Sequence, residues 1–525
     1  MPHAQRFIVL GSSLLLLCAC SPSEPPAGSE DEASAPSRTT AELAQGLVEA
    51  MGGRAALEAV QAIVLSGDGT RTRMGQIAVT GGEDPMGSLA GVTETLDLSQ
   101  GRAALDYDVV SGGFMQHRTE VLTTFEGEPV GWATGPNRPN IVTSPNGLFS
   151  WATQNSPEML LKRNVITVAL AAAATASAQQ VAEERAFNGG TSLYGTAQLP
   201  SGENVELYFD AATELLDGFV TLDTETMLGD VDAEYILADY RPVGELVLPH
   251  SVTIRKDGRP YSSIDYDSIT INDPAALGIF TIPEDALEQA RQVVATEGGV
   301  APLVWNEVTP NVYHAVGYSH HSMVVEFPTF VAVVEGPYTE AQSETLVRRI
   351  EEEIGKPIRY VAPTHPHYDH TGGIRALAAV GATVLVAAGH EAELRGIVEA
   401  PHTNPPDQLA RAAGGGGEVG AVEVFSGMTV VEEGGQRLEL HELTTIPHVN
   451  PKVIAYVPST GVLFQSDLFF GGPSPDATAL YAAIGELGLE VETIVGGHGG
   501  VIPFATLETA ATTPPPAPWE RALPL

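Results

Sequence analysis

The segment Thr364-His365-Pro366-His367-Tyr368-Asp369-His370-Thr371-Gly372-Gly373 constrains this chain more than any other. It crowds three imidazoles and a carboxylate between a predicted strand, Ile358–Val361, and a predicted helix, Ile374–Val380. Ligands gather where the strands of an α/β sheet end, so this junction is a natural site. Pro366 fixes its own φ and biases His365 toward an extended backbone. In an extended stretch His365 and His367 point to the same side and can reach one metal ion. Asp369 and His370 lie one turn further on and can face a second, while Gly372 and Gly373 let the chain bend into the helix. A donor set of imidazole and carboxylate suits zinc, and also iron or manganese.

Of the 14 histidines, all but His3, His117 and His250 fall between Tyr313 and Gly499. The HxHxDH segment resembles the metal-binding signature of the metallo-β-lactamase superfamily. That resemblance implies three further ligands in order, each at the end of a later strand. His448, in LTTIPHVNPKVIAYVP, stands where the family places the third ligand of the first metal. Asp467, ending the apolar run VLFQSDLFF, stands at the bridging carboxylate, with Ser466 replacing the usual glycine. His498, among glycines in TIVGGHGG, stands at the last ligand of the second metal. The resemblance spans roughly Val304 to Val501 and implies seven metal ligands: His365, His367, Asp369, His370, His448, Asp467 and His498.

The departures are specific. Glu335 occupies a position where many members carry an aspartate, a structural residue in the family. His441 is a rival third ligand, although it falls within the preceding predicted strand. No cysteine lies near the second metal, unlike in many class B β-lactamases. His320 and His321 fall in a loop from which the family's flanking loop covers substrate; surface or hydrogen-bonded histidines are the alternative. His390 and His402 read as solvated, and His314 as packing.

The resemblance implies a hydrolase holding two divalent metal ions, zinc first, with iron or manganese as alternatives. Ions sharing Asp467 are expected about 3.5–4 Å apart, where they lower the pKa of a water between them toward about 7. The resulting hydroxide is expected to attack a small-molecule ester, lactone, thioester or amide, with Asp369 as the catalytic residue orienting the nucleophile. Two other classes stay open: an iron-dependent persulfide-type oxidoreductase, and a non-catalytic envelope binding protein.

The rest of the chain sets the context. Its length of 525 residues favours two folded domains. Its formal charge of -40 argues against nucleic acid as a partner, because phosphate binding needs a basic face. Residues 1-20 read as a signal peptide, with Arg6 before the apolar run Phe7–Leu17. Leu17-Cys18-Ala19-Cys20 resembles a bacterial lipobox, which implies cleavage before Cys20, a lipid anchor there, and export to the cell envelope, at the periplasmic face of the outer membrane. An ordinary cleaved signal peptide is the alternative. Cys18 and Cys20 are the only cysteines, so the mature chain has no disulfide.

Residues 21-40 are Pro-, Ser- and Glu-rich and read as a disordered linker. A β-rich N-terminal domain is expected over 41-297, opening with a helix at Ala41–Met51 and a helical turn at Arg54–Val60. Val205, Leu207 and Phe209 alternate as a half-buried strand. Leu216-Asp217-Gly218 offers a turn before a strand at Phe219–Leu222, and Asp257-Gly258 is a hairpin signal. FDAATELLDGF and ADYRPVGELVLPHSV resemble lipoprotein-carrier-like domains, implying an antiparallel β-rich α+β fold. The Ala-rich stretch Val168–Ala178 reads as a packed helix or an internal loop. From 298 to 512 strands alternate with helices, the α/β pattern, and the resemblance implies an αββα sandwich. A Pro-rich tail, 513-525, closes the chain.

Overall fold

The computed structural model describes residues 38–77, 81–111, 114–134, 140–145, 148, 164–296, 303–317 and 320–513. The predicted signal peptide, Cys20, most of the linker and the Pro-rich tail lie outside these residues. The described residues, from Arg38 onward, pack as one compact unit. No helix among the described residues is long and apolar enough to cross a membrane.

The N-terminal part forms one 13-stranded sheet. Sequence neighbours pair antiparallel across most of it, and at its centre the first strand, Ala62–Thr72, pairs with the last, Arg259–Ile271. Asp257 and Gly258 join Leu246–Lys256 to Arg259–Ile271 with φ values of 48 and 72, the two positive values that a tight primed turn requires. The helices Thr40–Ala50 and Val165–Thr175 bury Leu43, Leu47, Val168 and Ala172 against Leu207, Phe209, Phe219 and Tyr235 of the sheet.

Two local expectations need correction. The linker stops short of residue 40, because Thr39 caps the first helix: its hydroxyl accepts from the Glu42 N–H at 3.2 Å, and the Glu42 carboxylate accepts from the Thr39 N–H at 2.7 Å. This reciprocal box satisfies two donors that the helix leaves open. The turn expected at Leu216–Gly218 lies earlier. Asp210 accepts from the Ala212 and Thr213 N–H groups at 3.0 and 2.6 Å, so the chain reverses there and Leu216–Glu225 is all strand.

The C-terminal part contains a seven-stranded and a six-stranded sheet. Met323, Val325, Ala332 and Val334 of the first share one core with Leu440, Val453, Ala455 and Phe464 of the second. On its other face the seven-stranded sheet buries Val333 and Val361 against Leu346, Ile350, Ile374 and Leu377 of the helices Glu340–Glu353 and Ile374–Ala379. The six-stranded sheet likewise buries Ile454 and Ile494 against Leu480, Ile484 and Leu507 of Pro475–Leu487 and Phe504–Thr512.

Strand direction positions the site. Val462–Phe464 and Thr493–Val495 are parallel neighbours, so their C-terminal ends carry Asp467 and His498 to one edge. Lys452–Val457 runs antiparallel to Val462–Phe464 and begins at that edge, just after His448. In the seven-stranded sheet, Val331–Val334 and Ile358–Ala362 are parallel, and their ends release Glu335 and the His365 segment. A backbone bond from the Val453 N–H to the Thr364 carbonyl, 2.8 Å, ties the two edges together.

Candidate metal centre

Asp467 stands at the middle of the converging side chains. Its Oδ2 lies 3.4 Å from His365 Nε2 and 3.2 Å from His448 Nε2. Its Oδ1 lies 3.0 Å from His370 Nε2 and 3.2 Å from His498 Nε2. One carboxylate thus presents an oxygen to each of two histidine groups. Ligand atoms of His365, His367, His448 and Asp467 lie within 4.8 Å of one another, and so do those of His320, Asp369, His370 and His498. All seven residues expected as ligands come together. His441 stays inside the strand Gln436–Leu443, bonded to Glu439 at 2.9 Å and outside both groups.

The fit to a metal pair rests on buried atoms. The Nε2 atoms of His365, His370 and His448 are buried and make no well-aligned hydrogen bond, although Asp467 oxygens lie 3.0–3.4 Å away. A buried polar atom left so costs about 1–3 kcal/mol, which a bound cation would offset. Burial, with Lys452 and His370 nearby, holds His365 well below the usual histidine range, and burial brings His367 down to about 4. Both are neutral at pH 7, the form that coordinates a metal. His370 differs: burial works to lower its pKa, but Asp467, Glu335 and Asp369 overcome it and hold it well above the ordinary value. Burial likewise opposes ionisation of Asp369 and Asp467, and the facing histidines, with Lys452 beside Asp467, keep both carboxylates well below the usual range.

Outer partners fix the rings. Glu335 is fully buried and its Oε2 lies 2.9 Å from His370 Nδ1, while Thr364 and Ser466 donate to its Oε1 at 2.5 and 2.6 Å. Ser466 sits at φ 60, a conformation that favours glycine, and its hydroxyl bond to Glu335 compensates. Gln465 organises the turn that carries Asp467, accepting from the Leu468 and Phe469 N–H groups at 2.7 and 2.8 Å.

His320 belongs to the second group. Its Nε2 lies 2.9 Å from Asp369 Oδ2, and its ring stacks on Tyr338 at 4.5 Å. Burial, with His498 beside it, pulls its pKa down to about 3. His321 turns away and packs its ring against His314 at 5.0 Å. His390 and His402, expected in solvent, are buried at 1% and 6% exposure. His390 bonds the Pro451 carbonyl, and His402 lies 3.9 Å from Asp407, because other segments pack over both.

Three residues of this neighbourhood escaped the sequence reading. Glu335 was visible only as a structural substitution. Lys452 is fully buried, its Nζ 3.5 Å from Asp467 Oδ2, and its place at a strand start gave little signal. Gln76 donates to Asp369 Oδ1 at 2.5 Å from a loop of the other sheet, which no local pattern announces. The centre opens toward solvent at His448 and His498, whose side chains are 30% and 22% exposed, beside the exposed ring of Phe470.

The family model of the metallo-beta-lactamase superfamily matches residues 316–498. Among solved structures, a metallo-beta-lactamase from Pontibacter korlensis is 18% identical, covering 40% of this chain and 98% of its own, with a TM-score of 0.31. The mono-zinc form of the metallo-beta-lactamase FIM-1 from Pseudomonas aeruginosa is 19% identical, covering 40% and 94%, with a TM-score of 0.32. A metallo-beta-lactamase from Hirschia baltica is 16% identical, covering 40% and 96%, with a TM-score of 0.31.

Proposed function

With residues 316–498 a metallo-beta-lactamase superfamily domain, we propose that this protein is a metal-dependent hydrolase acting on an ester, lactone, thioester or amide. The observation that carries the reading is Asp467, whose two oxygens face His365 with His448 and His370 with His498. His365, His367 and His448 would hold one divalent ion, and Asp369, His370 and His498 the other, with Asp467 between them. The imidazole and carboxylate donors suit zinc, with iron or manganese as alternatives. When bound, such a pair polarises a carbonyl oxygen and makes water nucleophilic near neutral pH.

The chain's own groups supply the rest. Asp369 Oδ2 accepts from His320 and faces the second group, where it can orient the attacking water and pass a proton to the leaving group. Phe470, 67% exposed with its ring 5.5 Å from that of His498, offers an apolar contact for the acyl part of a substrate at the open side. The lipobox-like Leu17–Cys20 supports a reading in which the protein is exported and carries a lipid anchor at Cys20. Palmitate labelling of the protein in a bacterial host is expected, and labelling that persists in Cys20→Ala would reject the anchor.

The decisive experiment is elemental analysis of the purified protein, followed by a panel of lactones, thioesters, β-lactams and phosphodiesters. Two divalent ions per chain are expected, with turnover lost in His367→Ala and in Asp467→Ala. Unchanged turnover in both variants would sink the hydrolase reading. Oxygen consumption with a persulfide, by a protein holding one iron, would replace it with the oxidoreductase.

A further inference from the structure

A loop of the thirteen-stranded sheet lies on the metal-binding segment. It follows the strand Ala62–Thr72, and three of its successive residues contact the three successive residues His367, Tyr368 and Asp369. The Tyr368 N–H donates to the Gly75 carbonyl at 3.0 Å. The Gln76 side-chain amide donates to Asp369 Oδ1 at 2.5 Å, and His367 Nε2 lies 2.8 Å from the Ile77 carbonyl oxygen. Gly75 has a φ of 68, and a Cβ there would stand 3.1 Å from Tyr368 Cβ and 2.9 Å from Met227 Cγ, so the close approach calls for glycine.

The amide of Gln76 is oriented, not merely near. Arg73 donates to its Oε1 at 3.3 Å, which turns the NH2 toward Asp369. Its backbone N–H is held by Asp84 Oδ1 at 3.1 Å. With Oδ1 of Asp369 occupied, Oδ2 is the oxygen left to face His320, at 2.9 Å, and His370, at 3.7 Å. On His367, a bond to the Ile77 carbonyl requires the proton on Nε2, so Nδ1 of the neutral ring carries the lone pair.

We propose that Gln76 is a positioning residue of the metal centre, supplied by the thirteen-stranded sheet. Its amide holds Asp369 so that one oxygen is presented to the second metal position, while the neighbouring Ile77 carbonyl selects the tautomer of His367. The proposal rests on the metal-hydrolase reading above and assigns the N-terminal sheet a direct part in that centre.

The full chain, freed of metal with a chelator, is titrated with Co2+ and with Zn2+ against a chromophoric competitor. The visible Co2+ spectrum and the melting temperature of the metal-free protein are recorded alongside. Gln76→Leu keeps bulk without the donor, and Gln76→Glu keeps shape while setting a second carboxylate against Asp369. Gln76→Leu is expected to weaken binding of the second ion by about 10–100-fold, the usual loss when an outer partner of a metal ligand is removed, and Gln76→Glu to change it because its carboxylate cannot donate to Asp369. The Co2+ bands of that ion shift, and binding of the first changes much less. A wild-type chain that binds two ions, with both variants matching its affinities and spectra, overturns the proposal, even if their melting temperatures fall. A wild-type chain that binds no metal overturns the hydrolase reading itself, and this proposal with it.

Discussion

Glu335 shows how one side chain can govern several others at once. Its carboxylate takes hydrogen bonds from Thr364 and Ser466 on Oε1 and faces His370 Nδ1 with Oε2, all within a fully buried space. A glutamine there would bring an NH2 group to a place where three donors now converge, so the His370 bond or both hydroxyl bonds would have to be rebuilt. Glu335→Gln is therefore expected to weaken metal binding by about 10–100-fold, with the loss on the ion held by His370. Competition against a chelator measures it, and equal affinities for both ions in variant and wild type would refute it. At this scale the sequence was informative wherever residue type and spacing sufficed. His365, His367, Asp369 and His370 share one short segment, Asp467 and His498 follow strand-like runs, and His448 stands out only through the family resemblance. Glu335 and Lys452 carry no such mark, because burial makes them part of the site and burial is a property of the folded chain.

Strands add a second kind of chemistry through what they bury. His314 lies in Val312–Val316, 1% exposed, its Nε2 3.1 Å from the Gly496 carbonyl oxygen. Burial lowers its pKa to about 4 from 6.5, and the carbonyl bond offsets only part of this. The unfolded chain then takes up a proton near 6.5 that the folded chain refuses until about pH 4. The resulting stability is complete above the unfolded value and declines as pH falls through this window, by roughly 3 kcal/mol at most. His314→Gln should flatten that decline, read as urea midpoints of the metal-free protein at pH 7 and pH 4.5. Identical midpoint changes in variant and wild type would count against it. Elements themselves were legible where apolar period and flanking signals agreed: the strand expected at Ile358–Val361 is Ile358–Ala362, and the helix expected at Ile374–Val380 is Ile374–Ala379. The helix Pro475–Leu487 starts where it does because Ser474 caps it and proline fits the first turn. The strand Met428–Glu433, which pairs with Gln436–Leu443, went unread, since its residues MTVVEE give weak alternation.

Across the whole molecule the contacts that matter most are those that sequence cannot announce. Gln76 and Asp369 are separated by 293 residues, and only the tertiary fold brings them together. A second junction lies at the hairpin of Leu216–Glu225 and Gly229–Val243. Asp230 accepts from the Thr403 N–H at 2.9 Å and from its hydroxyl at 2.6 Å, and its own N–H donates to the Pro401 carbonyl at 2.7 Å. Gly229, at φ 79, would place a Cβ 2.1 Å from that carbonyl oxygen. Met227 meets Thr371 of the metal-binding segment, its Sδ 3.8 Å from the hydroxyl. With the thirteen-stranded sheet joined at both places, opening either part exposes backbone groups that the other satisfies. Unfolding is therefore expected as one calorimetric transition, and metal added at about 100 times its dissociation constant should stabilise that whole transition by about 2.7 kcal/mol for each ion bound. Hydrogen exchange then gives the finer reading. Amides of Leu246–Lys256, which hold no metal ligand, should gain protection together with those of Ile358–Ala362. Two separate transitions, with only the later strands responding to metal, would mean that the junctions at Gln76 and Asp230 do not couple the sheets.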